Sequence, residues 1–276
     1  MALFPNSFLL LLYQVALGGL FALAATPFHE LERGFYKSTA GVLFVLALLE
    51  LFGKLDLYRR SLPAAWGLGS VTETALHILF VLFFGLYLFS LWGERGLFRA
   101  RTFTLSLFLG LLGLAASARH FYQAPLLSFE TLLYPLSFFL SALLLGSVTV
   151  GMLIGHWYLI DTGQSIEPFV RIFKFFVVTL VIQTLFLLIM PLFLYLAGSP
   201  ETVRSLERLW EDHAILISMR FLVAQAAALV LSVLIWQTLK IPHPMAATGL
   251  FYIALLGVFV GELLGRQILA LTALPF

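Results

Sequence analysis

The 276-residue chain contains no cysteine. That absence excludes disulfides, thiolate zinc sites, Cys-ligated iron–sulfur clusters and thioether-attached haem, so any metal held by this chain would need His, carboxylate or Met ligands. Charge is almost as scarce. Only 11% of the residues are Asp, Glu, Lys or Arg, against about a quarter in an ordinary soluble domain. Sixteen basic and fourteen acidic residues leave a net charge of +2, with no run of Lys or Arg. That is too little to suggest nucleic acid as a partner or an anionic-lipid switch. The chain also lacks a polar stretch long enough to form an extramembrane domain. Missing as well are a Gly-x-Ser-x-Gly elbow, a P-loop, a His-Glu-x-x-His helix and the paired Asp-rich motifs that hold magnesium–diphosphate.

Apolar residues make up 61% of the sequence, 28 of them Phe, and the mean hydropathy of +1.02 is spread along the whole length. A membrane-crossing helix needs about 20 mostly apolar residues. Charged and Pro/Gly-containing breaks divide the chain into eight such runs, at 8–26, 36–53, 67–93, 100–118, 130–159, 170–197, 212–239 and 246–272. The segments are continuously apolar and do not alternate with period two, which argues against strands. The expected fold is an all-α integral membrane protein of about eight transmembrane helices in two four-helix bundles, forming a single polytopic domain over 1–276. No repeat between the halves is visible in the residues themselves. The first run has no Lys or Arg before Arg33, so it reads as an uncleaved helix, not a signal peptide, despite Ala22-Leu23-Ala24 near its end.

Lys and Arg in the loops bias orientation. Loops 1–2, 3–4, 5–6 and 7–8 hold eight (Arg33, Lys37, Arg95, Arg99, Arg101, Arg171, Lys174, Lys240), and the opposite face holds six (Lys54, Arg59, Arg60, Arg119, Arg204, Arg208). The expectation is a multi-pass protein of a bacterial-type inner membrane with both termini outside.

Ionisable groups inside a bilayer cost roughly 2.5–3.5 kcal/mol each on insertion scales and are functional candidates by default. Tracing each helix in its alternating direction places Glu50, Glu73, His77, Arg220, Glu262 and Arg266 in the half nearest the termini, with Arg119, His120, Asp212 and His213 at the interface of that side. Only His29 and His156 fall toward the other face. Glu73 with His77, and Glu262 with Arg266, are i,i+4 pairs. The carboxylates and guanidiniums are expected to face one inward polar cavity, with Glu73 fixing the tautomer of His77. Glu50 and Arg266 lie near helix ends, where snorkelling to the headgroups is the alternative. Gly257, Gly261 and Gly265, and Gly151 with Gly155, read as packing stripes. Trp157 and Tyr158 read as interfacial aromatics.

Eight spans, little extramembrane mass, one-sided polar residues and the segment Gly261-Glu262-Leu263-Leu264-Gly265-Arg266 in the last helix resemble the NrfD/PsrC/DmsC-type superfamily of quinone-interacting membrane anchors. The architecture covers the whole chain, and the residue-level match is that one segment. The resemblance implies a quinone/quinol-binding subunit of a multi-subunit respiratory oxidoreductase. Its implied cofactor is menaquinone or ubiquinone, not covalently bound. Its implied partners are an iron–sulfur protein subunit, which takes or gives the electrons, and a catalytic subunit of the same complex. On depth and spacing, His77 is expected at a quinone oxygen, Glu73 as its orienting partner, and Glu262, Arg266 and Arg220 on the proton path or site wall. Two other readings of the charged zone stay open: a transporter or membrane assembly factor, and a b-type haem electron carrier using two of the six His residues.

Overall fold

In lipid every backbone polar group must find its partner inside the protein, which leaves helices as the natural state of long apolar runs. The computed structural model describes residues 3–26, 28, 30–60, 67–125, 128–161, 163–241 and 243–276, so His29 lies outside the described residues. Among these the regular elements are all helical: α1 (Leu3–Ala24), α2 (Arg33–Arg60), α3 (Leu68–Ser90), α4 (Gly96–Ala118), α5 (Phe129–Ile160), α6 (Glu167–Ala197), α7 (Pro200–Asp212), α8 (Ala214–Arg220), α9 (Ala227–Lys240) and α10 (Pro244–Thr272). A short 3-10 turn, Arg119–Phe121, extends α4, and a π-type turn, Phe221–Ala226, joins α8 to α9 in one continuous rod. Starts are set locally. The Ser128 and Ser199 side chains accept from the backbone N–H of Thr131 and Thr202, and prolines occupy the first turns of α6, α7 and α10, where a missing N–H costs nothing.

Among the described residues seven helices are long and apolar enough to cross a membrane, and the chain is a multi-pass, all-α membrane protein. α2 is the eighth long helix. At 28 residues it measures about 42 Å, and it is the most heavily charged of the long helices, with Arg33, Lys37, Glu50, Lys54, Asp56, Arg59 and Arg60 along it. It is also the largest departure from the expected boundaries, running on past Gly53 to Arg60. The expected seventh span stands as the rod 214–240, and the stretch before it, residues 200–212, forms the separate helix α7, with Thr202, Leu206 and Leu209 turned inward and Glu201, Arg204, Glu207, Arg208 and Glu211 exposed.

The helices close into two rings, α1–α2–α3–α4 and α5–α6–α9–α10, each packed in sequence order and back on its first helix. The rings meet chiefly along α1 and α5, the most buried of the spans. Gly18 and Gly146 make that crossing possible, because a Cβ on either would overlap the backbone of the facing helix. The main core runs through both rings, and a smaller one (Leu133, Leu187, Met190, Leu206, Leu209, Ile217) seats α7. On the opposite side, exposed Arg33 holds Glu94 through two bonds of 2.7 and 2.8 Å. The large apolar side chains left exposed on α2, α3, α6, α9 and α10 form the surface a bilayer would cover.

Candidate functional site

Because α2 continues to Arg60, Glu50, Lys54 and Tyr58 are spaced by four on one helix face, and all three are buried. That face meets Glu73 and His77 of α3 and Ser117 near the end of α4. His77 Nδ1 lies 2.9 and 3.1 Å from the two Glu50 oxygens. Its Nε2 lies 3.0 Å from Ser117 Oγ and 3.4 Å from the main-chain oxygen of Gly113. Ser117 donates to Glu73 Oε1 at 2.6 Å. Glu73 also pairs with Lys54 and His120 and accepts from Tyr58 Oη at 2.6 Å. Tyr13 of α1 stacks on the His77 ring, with centroids 4.3 Å apart, and donates its hydroxyl to Gly110 at 2.9 Å.

The hydrogens of this N-terminal set can be counted. Ser117 has one proton, and while it donates to Glu73 it can only accept from His77, so His77 Nε2 carries a hydrogen. Nδ1 faces a carboxylate, so one more proton lies between it and Glu50. The pair is neutral as a unit, either as imidazolium with carboxylate or as imidazole with carboxylic acid. Lys54 offsets Glu73, and with His120 donating from a neutral ring the set is balanced. It is also a continuous hydrogen-bonded line, Glu50–His77–Ser117–Glu73–His120, with the rotatable Ser117 hydroxyl at its middle.

Two openings reach the outer end of that line. A largely apolar groove of about 340 Å³ between α2 and α3 is lined by Leu55, Tyr58, Arg59, Val71, Thr74 and Ile78, among others. A smaller one of about 210 Å³ is lined by Gly69, Ser70, Ala116, Arg119 and His120.

A second set lies in the other ring. Glu262 of α10 is held by Arg220 and Arg266, each at 3.2 Å, and accepts from Gln183 of α6 at 2.6 Å. Arg266 donates to Ser141 of α5 at 3.1 Å and Arg220 to the Gly261 main-chain oxygen at 2.7 Å. Gly265 is where the Arg220 guanidinium crosses α10; a Cβ there would overlap it. The Gly257/Gly261/Gly265 stripe thus does more than pack helices.

The five expected site residues are all buried, but they form two sets, not one. Arg220, Glu262 and Arg266 come together as expected, and Arg266 does not snorkel. Glu73 and His77 join one set without bonding to each other. Glu73 is engaged by Lys54, Tyr58, Ser117 and His120, so Glu50, not Glu73, orients His77. Lys54, Tyr58, Ser117 and Gln183 were not foreseen. The signal for the first two was the 50/54/58 spacing, hidden by reading Gly53-Lys54 as a loop. Among the described residues no group of three or more His, Asp or Glu is arranged to hold a metal ion. Haem ligation by His77 and His120 would have to displace Glu50 or Ser117 from one and Glu73 from the other. His156 is exposed beside Tyr252, 3.3 Å away. No family model, curated protein or solved structure matches the chain.

Proposed function

We propose that this protein is a quinone/quinol-binding membrane subunit that exchanges electrons with an iron–sulfur partner within a larger oxidoreductase, and that the ring of the quinol docks where the α2–α3 groove reaches Tyr58. The observation that carries the reading is the junction of an apolar groove with a buried, charge-balanced proton line. Oxidising a quinol to a quinone releases two protons and two electrons. The electrons pass to the partner's cluster, and the protons need acceptors at the ring oxygens. Tyr58 stands at the groove and His120 at the smaller opening beside it, with Glu73, Ser117, His77 and Glu50 behind them. The groove's volume lies at the lower end of the range for small-molecule sites, about 300–1,000 Å³, and its open apolar side suits an isoprenoid tail lying in lipid.

Orientation follows the same reading. Lys54 is buried and paired, not a loop charge, which leaves five basic residues on the termini face against eight on the other and favours termini outside. The partner then docks on the face where α7 and the outer end of the proton line lie.

The test is a photoreactive short-chain quinone applied to the protein in its native complex, followed by Ser117→Ala and Ser117→Thr. Saturable labelling confined to residues 55–78 is expected. Ser117→Ala is expected to retain labelling and lose tenfold or more in quinol turnover, within the range for proton-transfer groups, with Ser117→Thr restoring it. Absence of saturable labelling would overturn the assignment. One observation favours a second reading, a proton-coupled transporter: two four-helix rings of the same connectivity, each with a buried charged set, is the layout of transporters built from parallel repeats. That reading predicts substrate flux independent of redox state and no iron–sulfur partner in the purified complex.

A further inference from the structure

No stretch of this sequence is basic, yet the C-terminal ring brings two isolated lysines to one place. Between α6 and α9 a groove of about 480 Å³ is lined by Phe173, Lys174, Val177, Val178, Val233 and Trp236, among others. Val178 and Val233 face outward, toward lipid. The two ends of the groove differ in chemistry. At one end the Phe173 and Trp236 rings stack, with centroids 5.8 Å apart and planes 8° from parallel. Val177, Val178 and Val233 lie about one turn deeper in their spans.

The charge sits at the aromatic end. Lys240 Nζ lies 5.2 Å from the centre of the Trp236 ring, and Lys174 lines the groove next to Phe173. Both lysines are exposed. Among the described residues neither ion-pairs with a carboxylate. Arg171, one turn nearer the loop, is taken by Glu30, and Glu167 stands a further turn out at the start of α6. Helix chemistry accounts for one lysine and not for the other. Lys240 is the last residue of α9, and a helix C-terminus favours a cation. Lys174 lies two turns inside α6, where a charge is costly unless it reaches the interface or a partner. Trp236 marks the level, because indole rings settle among the headgroups.

We infer that the α6–α9 groove holds one acidic phospholipid of the bilayer, its phosphate between Lys174 and Lys240 and an acyl chain along Val177, Val178 and Val233. Two ammoniums set the class, because basic pockets between spans recruit anionic headgroups. A zwitterionic head brings an ammonium of its own, which the lysines repel. A free anion would use the lysines and leave the apolar walls bare, whereas a lipid uses both. The groove lies on the loop face, which carries the excess of Lys and Arg and faces the anionic leaflet if that excess is cytoplasmic. This inference goes beyond the quinone reading, which concerns the opposite face, and fails or holds without it.

The experiment is native mass spectrometry of the full chain, released from mild detergent after exchange into dioleoyl-phosphatidylglycerol or dioleoyl-phosphatidylcholine at matched concentrations. One phosphatidylglycerol is expected to stay bound, saturably and about tenfold or more tighter than phosphatidylcholine. Lys174→Gln/Lys240→Gln is expected to weaken it about 25-fold, about fivefold for each lysine, and to leave phosphatidylcholine unchanged. Lys174→Arg/Lys240→Arg is expected to keep it. Lys37→Gln, which removes a lysine lying over Trp92 at the same face, is expected to have no effect. Equal retention of the two lipids would overturn the inference. So would a loss in Lys37→Gln matching that of the double variant, which would mean a general pull of the basic face and not this groove.

Discussion

In the N-terminal ring two carboxylates, one lysine and two histidines share one hydrogen-bonded line, whereas the C-terminal ring sets two guanidiniums around the Glu262 carboxylate, with the Phe276 main-chain oxygen beside the place where Arg220 passes. Both sets draw on the third and fourth helices of their rings, with Glu73 and Arg220 each near the start of the third. What differs is whether the groups titrate. Imidazole, carboxylate and ammonium can each be found in two protonation states, so the first set can change its state by passing protons to the openings at Tyr58 and His120. Arginine cannot, so the second set is a fixed field. The same architecture thus buries titratable groups in one half and fixed charges in the other.

The largest effect should come from unbalancing the neutral set. Lys54→Met leaves Glu73 without its cation, and breaking a buried pair in this way costs about 3–5 kcal/mol. The double variant Lys54→Met/Glu73→Gln removes both charges and is expected to recover most of that loss. Midpoints of thermal unfolding in one detergent compare the three proteins. A double variant no more stable than Lys54→Met would show that the lysine matters for something other than charge balance.

The C-terminal set should respond asymmetrically. Glu262→Gln leaves two buried guanidiniums without their shared carboxylate, while Arg266→Gln leaves the Arg220–Glu262 pair intact. The yield of monodisperse protein is therefore expected to fall further in Glu262→Gln, by about tenfold relative to Arg266→Gln, a difference of about 1.4 kcal/mol if yield follows the folded fraction. The reverse order would mean that the lost hydrogen bonds of Arg266 outweigh the charge count, and the contrast between the two halves would lose its basis.

Much of the fold was legible in the sequence because a bilayer allows so little else. Runs of apolar residues interrupted by charge gave seven spans to within a few residues, and the third, fifth and sixth match closely. The charge-bearing helix was the one misjudged. Gly53-Lys54 looks like a loop only if Lys54 faces water, and the residues that let it face inward, Glu73 and Ser117, are 19 and 63 positions away. The Glu262/Arg266 pair was legible because its partner is one turn off on the same helix. The division into two sets was not, because hydrogen-bond partners across helices depend on which faces the rings turn inward. The π-type turn after Arg220 has no signal in its residues, Phe-Leu-Val-Ala-Gln-Ala.

The smallest effect should come from the Arg33–Glu94 bridge, which serves as the control for burial. Its geometry is as good as any in the protein, with two bonds under 3 Å, yet its side chains are 47% and 83% exposed. The guanidinium of Arg33 holds the Glu94 carboxyl below the usual carboxylate range through that hydrogen-bonded pair. A depressed folded-state pKa means that the stabilisation is present above the unfolded value, about 4.3, and is lost as pH falls through the folded one. Water and salt screen an exposed pair. Glu94→Gln is accordingly expected to shift the midpoint by no more than about 1 °C at pH 7, and the difference from wild type should shrink as pH falls below the unfolded value. A shift comparable to that of Lys54→Met would show that burial is not what separates strong ion pairs from weak ones here, and the reading of both buried sets would have to be rebuilt on other terms.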